Sequence, residues 1–343
     1  TLHLMLSVMF PQLLCVFGGA GRHTVRRSGE AFSPISRRSL GWQKLPHMTA
    51  RHASHAACVF EGRLFVFGGT AEEDLFGDPE PLASAEYFDP MTLSWSELPP
   101  MPHARSGPAV AKVAGRFYVM GGNLGNYELI KSVDCFDTAT FMWTHAPPML
   151  TGRACPSAAA LNGCIYVIGG VGEDELCVSS MDCFDPQKGS WESFPLWGIP
   201  CYSAAMAALD GKLYLFGGLN DLGDTLDSAK CFDFSKGEWK TLPSMSCRRT
   251  TAGVATMHGL LYIVGGENED GTPLHTVDCF DPQAETFEEL PHMHRSRTGP
   301  GVACIRASLV NVATERGGRL MQGRGALYDW VTMVLRSEGA FDI

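Results

Sequence analysis

The sequence predicts an all-β chain folded as a six-bladed β-propeller, four antiparallel strands to a blade, and three recurring features carry that expectation. A Gly-Gly pair closes an apolar run at Gly18, Gly68, Gly121, Gly169, Gly217 and Gly265, at intervals of 50, 53, 48, 48 and 48 residues. A large ring recurs at Trp42, Trp95, Trp143, Trp191 and Trp239, with Phe287 in the sixth place, and the last four of these fall 21 residues after their second glycine. Between the two markers runs an acidic-aromatic segment: Glu86-Tyr87-Phe88-Asp89-Pro90, Asp134-Cys135-Phe136-Asp137, Asp182-Cys183-Phe184-Asp185-Pro186, Lys230-Cys231-Phe232-Asp233 and Asp278-Cys279-Phe280-Asp281-Pro282. The first copy has decayed to Glu30-Ala31-Phe32-Ser33-Pro34. A fixed period of this length marks a repeat architecture.

Each unit reads as four short strands, in the second copy over residues 54–60, 63–67, 84–89 and 94–98. Gly62, Gly115, Gly163, Gly211 and Gly259 mark the first hairpin each time, where a positive φ is cheap for glycine. The Gly-Gly pair suits a strand end approached closely by a neighbouring backbone, and the tryptophan offers a flat surface for packing between blades. One four-stranded sheet cannot bury both faces, so copies pack face to face, and a ring does this without long exposed edges. Residues 298–305 resemble a first strand and are favoured to complete blade 1; residues 4–10 compete for the same place. The expected organisation is an N-terminal segment 1–10, a propeller over 11–305 and a non-repeat tail over 306–343, where the register is lost. With Thr1 in place of an initiator Met, the two ends read as a fragment or an aberrant gene model.

Composition narrows the function. The 343 residues carry 27 Lys and Arg against 37 Asp and Glu, a formal charge of −10, so no basic field is available to hold nucleic acid or anionic lipid. Residues 1–41 hold five arginines against one acid and 306–343 five against four, which leaves −15 on the repeat region. Of twelve cysteines none forms a C-x-x-C pair, and four recur at Cys135, Cys183, Cys231 and Cys279, which reads as reduced thiols in a cytoplasmic protein. Those four act as small apolar side chains spread around the ring rather than a metal cage, and Cys177 and Cys201 lie outside their register. The apolar run 2–17 lacks a basic flank, is broken by His3 and Pro11, and is too short to span a bilayer.

An apolar strand ending in Gly-Gly, an acidic-aromatic strand, then Trp and Leu-Pro is similar to the Kelch repeat, and the array most resembles the propeller of Kelch-like proteins over about residues 11–305. That resemblance implies a non-enzymatic module like the substrate-recognition propeller of a cullin-type ubiquitin ligase adaptor, which binds partner peptides on the face of its inter-strand loops. In that family BTB and BACK regions precede the propeller and recruit the cullin; neither is expected in this chain. An actin-binding or cytoskeletal scaffold is the alternative. An enzyme fits less well, because His47, His52, His55, His292 and His294 show no paired metal-ligand spacing and no phosphate loop or nucleophile elbow occurs. No cofactor or metal is expected, and the propeller itself reads as a monomer.

Candidate partner-binding residues follow from that face. Arg51, Arg105, Arg153, Arg249 and Arg297 recur on the loops joining the fourth strand to the next first strand, with Cys201 in the fifth blade's place. They read either as a ring of guanidinium donors for carboxylates or as internal braces to carbonyls and an acidic residue of the adjacent blade. His52, His103, Arg248, His292, His294 and Arg295 do not repeat and fit specificity better. On the loops joining second and third strands, Glu73, Asp74, Asp174, Asp221 and Asp270 form an acidic counterpart or simply a solvated rim. The basic stretch Arg22, His23, Arg26, Arg27, Arg37 and Arg38 falls in the first-blade loops with Ser28, Ser36 and Ser39 as candidate phosphorylation points.

Overall fold

A computed structural model describes residues 12–306 apart from 23, 35–40, 72–79, 126–127 and 196–201. Locally, the chain is built from tight hairpins. Glu61 and Gly62 sit at φ +49° and +75°, Ala114 and Gly115 at +49° and +75°, and the same pairing repeats at Asn162-Gly163, Asp210-Gly211 and His258-Gly259. Two central residues with positive φ define the turn whose twist matches the flanking strands, so each hairpin sets the register of a blade.

Six four-stranded antiparallel sheets result, each in simple up-and-down order after the first. Blade 3 is typical: Ala109–Val113, Arg116–Met120, Val133–Asp137 and Met142–Ala146. Blade 2 runs Ala56–Phe60, Arg63–Phe67, Ala85–Asp89 and Ser94–Glu97, within two residues of the sequence expectation at every boundary. Second strands are apolar and buried on both sides, as in Arg116–Met120, because a neighbouring blade covers each face of the sheet. Outer strands such as Met142–Ala146 stay largely wet. First strands of neighbouring blades pack side by side around an axial channel of about 200 Å³. Among the described residues there is no helix, hence none long and apolar enough to cross a membrane.

Ring closure is made by the two ends of the repeat region. Gly301–Arg306 pairs antiparallel with Gln12–Phe17, from Phe17 opposite Gly301 to Gln12 opposite Arg306, and the sheet continues through Gly29–Phe32 and Gln43–Leu45. The competing segment 4–10 and the tail 307–343 lie outside the described residues.

The core lies between blades. Phe17, Leu64, Val66 and Phe88 form one inter-blade cluster, Phe65, Phe67, Phe117 and Phe136 the next, and comparable sets fill the other four interfaces. The sequence markers find their physical cause here. A Cβ on Gly121 would sit 2.6 Å from the Arg153 carbonyl oxygen, and one on Gly122, at φ +90°, 2.6 Å from that of Ser106. Only glycine lets two loops cross there. The tryptophan marker is a tie as well as a packing surface: Trp143 donates its indole N–H to the Pro99 carbonyl at 2.8 Å, Trp191 to Pro147 at 2.9 Å, and Trp42 to Pro291 at 2.7 Å across the closure. The proline that follows one blade's outer strand thus receives the tryptophan of the next.

Candidate partner-binding face

Loops leaving each fourth strand and loops joining second to third strands share one face. Isolated bridges hold them together at Ser106 with Asn123, Ala154 with Val171, Tyr202 with Leu219 and Thr250 with Glu267. At the channel mouth a chain of inter-blade bonds links them: the amides of Gly107, Cys155, Ser203, Thr251 and Gly299 each donate to the carbonyl of the counterpart in the preceding blade, at 2.7–3.1 Å.

Four of the five repeated arginines are not on this face's surface. Arg105, Arg153, Arg249 and Arg297 are fully buried. Arg105 shows the pattern: Nη1 donates to the Gly121 carbonyl at 2.9 Å, and Nη2 to Ser132 Oγ at 3.0 Å and Asp134 Oδ2 at 2.7 Å. Arg249 repeats it with Gly265 and Asp278, and Arg297 with Gly18 and Glu30. Arg153 does so with Gly169 and Asp182. Burial pulls the guanidinium of Arg105, Arg153 and Arg297 below its ordinary value, and the facing carboxylate opposes that pull. Each side chain is therefore a brace that ties an entering loop to the second and third strands of its blade. The accessible guanidinium ring is replaced by this internal role, because the side chain is consumed by carbonyls and a carboxylate.

Blade 2 corrects the sequence reading by one residue. His52, not Arg51, takes the arginine's place: Nδ1 lies 2.8 Å from the Gly68 carbonyl oxygen and Nε2 3.1 Å from Glu86 Oε1, with the side chain fully buried. The signal was in the spacing, since His52 stands 16 residues before Gly68 just as Arg105 stands 16 before Gly121. Arg51 is displaced outward and exposed. Blade 5 has lost both halves: Lys230 stands at the carboxylate's place opposite Leu215, and Cys201 lies outside the described residues.

Exposed on the face are Arg51, Arg248, His292, His294, Arg295, Asp174, Asp221 and Asp270. Arg248 Nη1 meets Glu269 at 3.0 Å, and His292 Nε2 meets Glu289 at 2.6 Å. His294 Nδ1 lies 3.1 Å from Glu30, and half-buried His103 lies 3.0 Å from Asp134. Asp221 joins two blades by accepting the Cys177 amide at 3.3 Å. Glu73 and Asp74 fall outside the described residues, as do His23, Arg37, Arg38, Ser36 and Ser39.

The sequence reading missed the apolar part of the face. Leu124, Leu176 and Leu222, at the tips of three successive blades' loops, are 40%, 56% and 86% exposed. Their loops are held by short side-chain turns: Asn220 Oδ1 accepts the amides of Leu222 at 2.9 Å and Asp224 at 2.8 Å, and Asp174 Oδ1 accepts that of Leu176 at 3.2 Å. A leucine in an Asn/Asp/Gly-rich loop carries no periodic signal, so only the fold reveals it.

Cysteine chemistry is subdued. Cys135, Cys183, Cys231 and Cys279 face Tyr118, Tyr166, Tyr214 and Tyr262 across the strand pairs, and burial pushes the Cys279 thiol up to about 11. Among the described residues no disulfide forms.

Repeated four-stranded blades, braced from within and presenting loops on one face, define a β-propeller of the repeat class. The chain belongs to the Kelch-repeat family: the model of the KLHDC2/KLHL20/DRC7 Kelch-repeats domain matches residues 4–200 and 151–312. Kelch-like protein 35 of Mus musculus is 36% identical over 81 residues, 24% of this chain and 13% of that protein. Alpha-scruin of Limulus polyphemus is 37% identical over 87 residues, 25% of this chain and 9% of that protein. Kelch-like ECH-associated protein 1A of Danio rerio is 31% identical over 112 residues, 33% of this chain and 18% of that protein. The matched stretches thus span a fifth or less of these relatives. Among solved structures, that of YjhT superposes with a TM-score of 0.68 over 80% of this chain and 96% of its own, at 16% identity, a likeness of fold.

Proposed function

We propose that the chain is a non-enzymatic protein-interaction module that captures a partner peptide on its loop face. In this it resembles the substrate-recognition propeller of a cullin-type ubiquitin ligase adaptor. The observation that supports it is the set of exposed leucines at loop tips, Leu124, Leu176 and Leu222, with Arg248, Arg295, Asp174 and Asp270 exposed on the same face. Apolar anchors within a charged rim are the anatomy of a protein interface. Loops already ordered by side-chain turns lose little entropy on binding, so the buried leucine surface is not spent on ordering them. The mixed signs of the rim select a partner carrying both charges and suppress others.

The similarity to Kelch-like protein 35 supports the coarser reading of an interaction module; the ligase-adaptor role rests on the resemblance to the Kelch-like propeller, in which cullin recruitment belongs to BTB and BACK regions. Cytoplasmic residence is the setting this reading assumes. Quantitative affinity capture tests it: proteins held by the wild-type chain are lost with Leu176→Asp and Leu222→Asp together, and kept with Met142→Asp on the opposite turns. Equal capture by all three chains removes the proposal. Actin co-sedimentation separates the cytoskeletal alternative, which predicts pelleting with filaments.

A further inference from the structure

Among the described residues, Asp134 is the one carboxylate of the brace set that two imidazoles approach. Its Oδ2 accepts from Arg105 at 2.7 Å and lies 3.1 Å from His103 Nδ1, while Oδ1 lies 3.0 Å from the same His103 Nδ1 and 3.3 Å from His145 Nδ1. The three ligand atoms all lie within 4.8 Å of one another. His103 comes from the loop entering blade 3 and His145 from its outer strand, where it pairs directly opposite Asp134. Forty-two residues separate the two histidines, which is why no ligand spacing is visible in the sequence.

The other blades supply an internal comparison. The carboxylate at this register takes its additional bond from a hydroxyl in blade 2, where Thr49 Oγ1 meets Glu86, in blade 4, where Ser193 meets Asp182, and in blade 6, where Ser246 meets Asp278. Blade 1 uses one imidazole, His294 on Glu30. A scaffold that needs only a donor is satisfied by serine or threonine. Among the described residues, blade 3 alone brings two histidines and a carboxylate together.

From this geometry we infer that His103, Asp134 and His145 form a site for a borderline divalent transition-metal ion of the zinc class. An ion bound tetrahedrally at about 2.0–2.1 Å from nitrogen and oxygen has ligand-to-ligand edges of about 3.3 Å, and the two O–N edges in the structure, 3.0 and 3.3 Å, are close to that length. The His145 side chain is 67% exposed and its ring lies against that of His103, centroids 5.5 Å apart, so a small rotation would close the third edge. Two imidazoles and a carboxylate are the donor set that suits zinc, and three protein ligands leave a fourth position for water. Arg105 holds the far carboxylate oxygen and so fixes the orientation of the ligand, as outer partners in metal sites do. Its positive charge opposes the ion's and weakens binding of any dication there.

The test is calorimetric titration of zinc chloride into the chelator-treated full chain, with cobalt(II) as a spectroscopic substitute. The wild-type chain takes up one equivalent, and cobalt gives the intense visible bands of tetrahedral coordination. His145→Gln, at a solvated position, weakens uptake by about tenfold or more and removes the bands. His103→Gln, which keeps a donor toward Asp134, does the same while the thermal midpoint is unchanged. Absence of one-equivalent uptake overturns the inference, as does uptake undiminished in the double variant.

Discussion

At the scale of single residues, the chain separates bracing from display by burial. Arg153, fully buried against Asp182, and Arg51, exposed one position from the register, look equivalent in the sequence. Removing one partner of a buried pair strands the other charge, so Arg153→Met costs about 3–5 kcal/mol. Arg51→Met changes stability by less than about 0.5 kcal/mol, and chemical denaturation of both variants checks the contrast. His55 gives a pH signature. Burial first, then the nearby His52 and Arg297, pull its imidazole down to about 3 from 6.5. The folded state therefore refuses a proton that the unfolded chain accepts. The stability it contributes is complete above pH 6.5 and is lost as pH falls toward 3. Between pH 6.5 and 5 the loss is about 2 kcal/mol. Ala204 and Ala252 stand at the same position in blades 5 and 6, so His55→Ala is tolerated and flattens that slope in urea titrations at pH 5 to 7.

At the scale of elements, legibility followed periodicity. The strands of blade 2, the hairpin glycines and the Gly-Gly crossings were readable because each repeats at a fixed offset and serves the backbone itself. The arginines repeat just as strictly, yet a recurring cation fits a brace or a display equally well until burial is known. His52 was readable only by counting 16 residues, and the meeting of His103 with His145 only through the pairing of Asp134 with His145. The crossings yield a prediction by comparison. Gly62 sits at φ +75° with nothing within 4 Å of an added Cβ, so Gly62→Ala costs about 1–2 kcal/mol from the left-handed backbone alone. Gly122→Ala adds a contact of 2.6 Å with the Ser106 carbonyl and loses clearly more. Equal urea midpoints for the two variants would show that the close approach of loops is not what holds these glycines.

At the scale of the whole molecule, six interfaces share one plan, and closure joins Gln12–Phe17 to Gly301–Arg306 so that neither end leaves an open blade edge. The ring so braced presents its longest inter-strand loops on one face. There the exposed leucines and mixed charges are the features by which this face receives a protein segment. The direct measurement selects peptides from a random display library on the immobilised chain and follows the best of them by calorimetry. With Leu176→Asp and Leu222→Asp combined, its affinity falls by about tenfold or more, while Phe141→Asp with Met142→Asp on the opposite face leaves it unchanged. A peptide indifferent to the first pair, or sensitive only to the second, contradicts the claim.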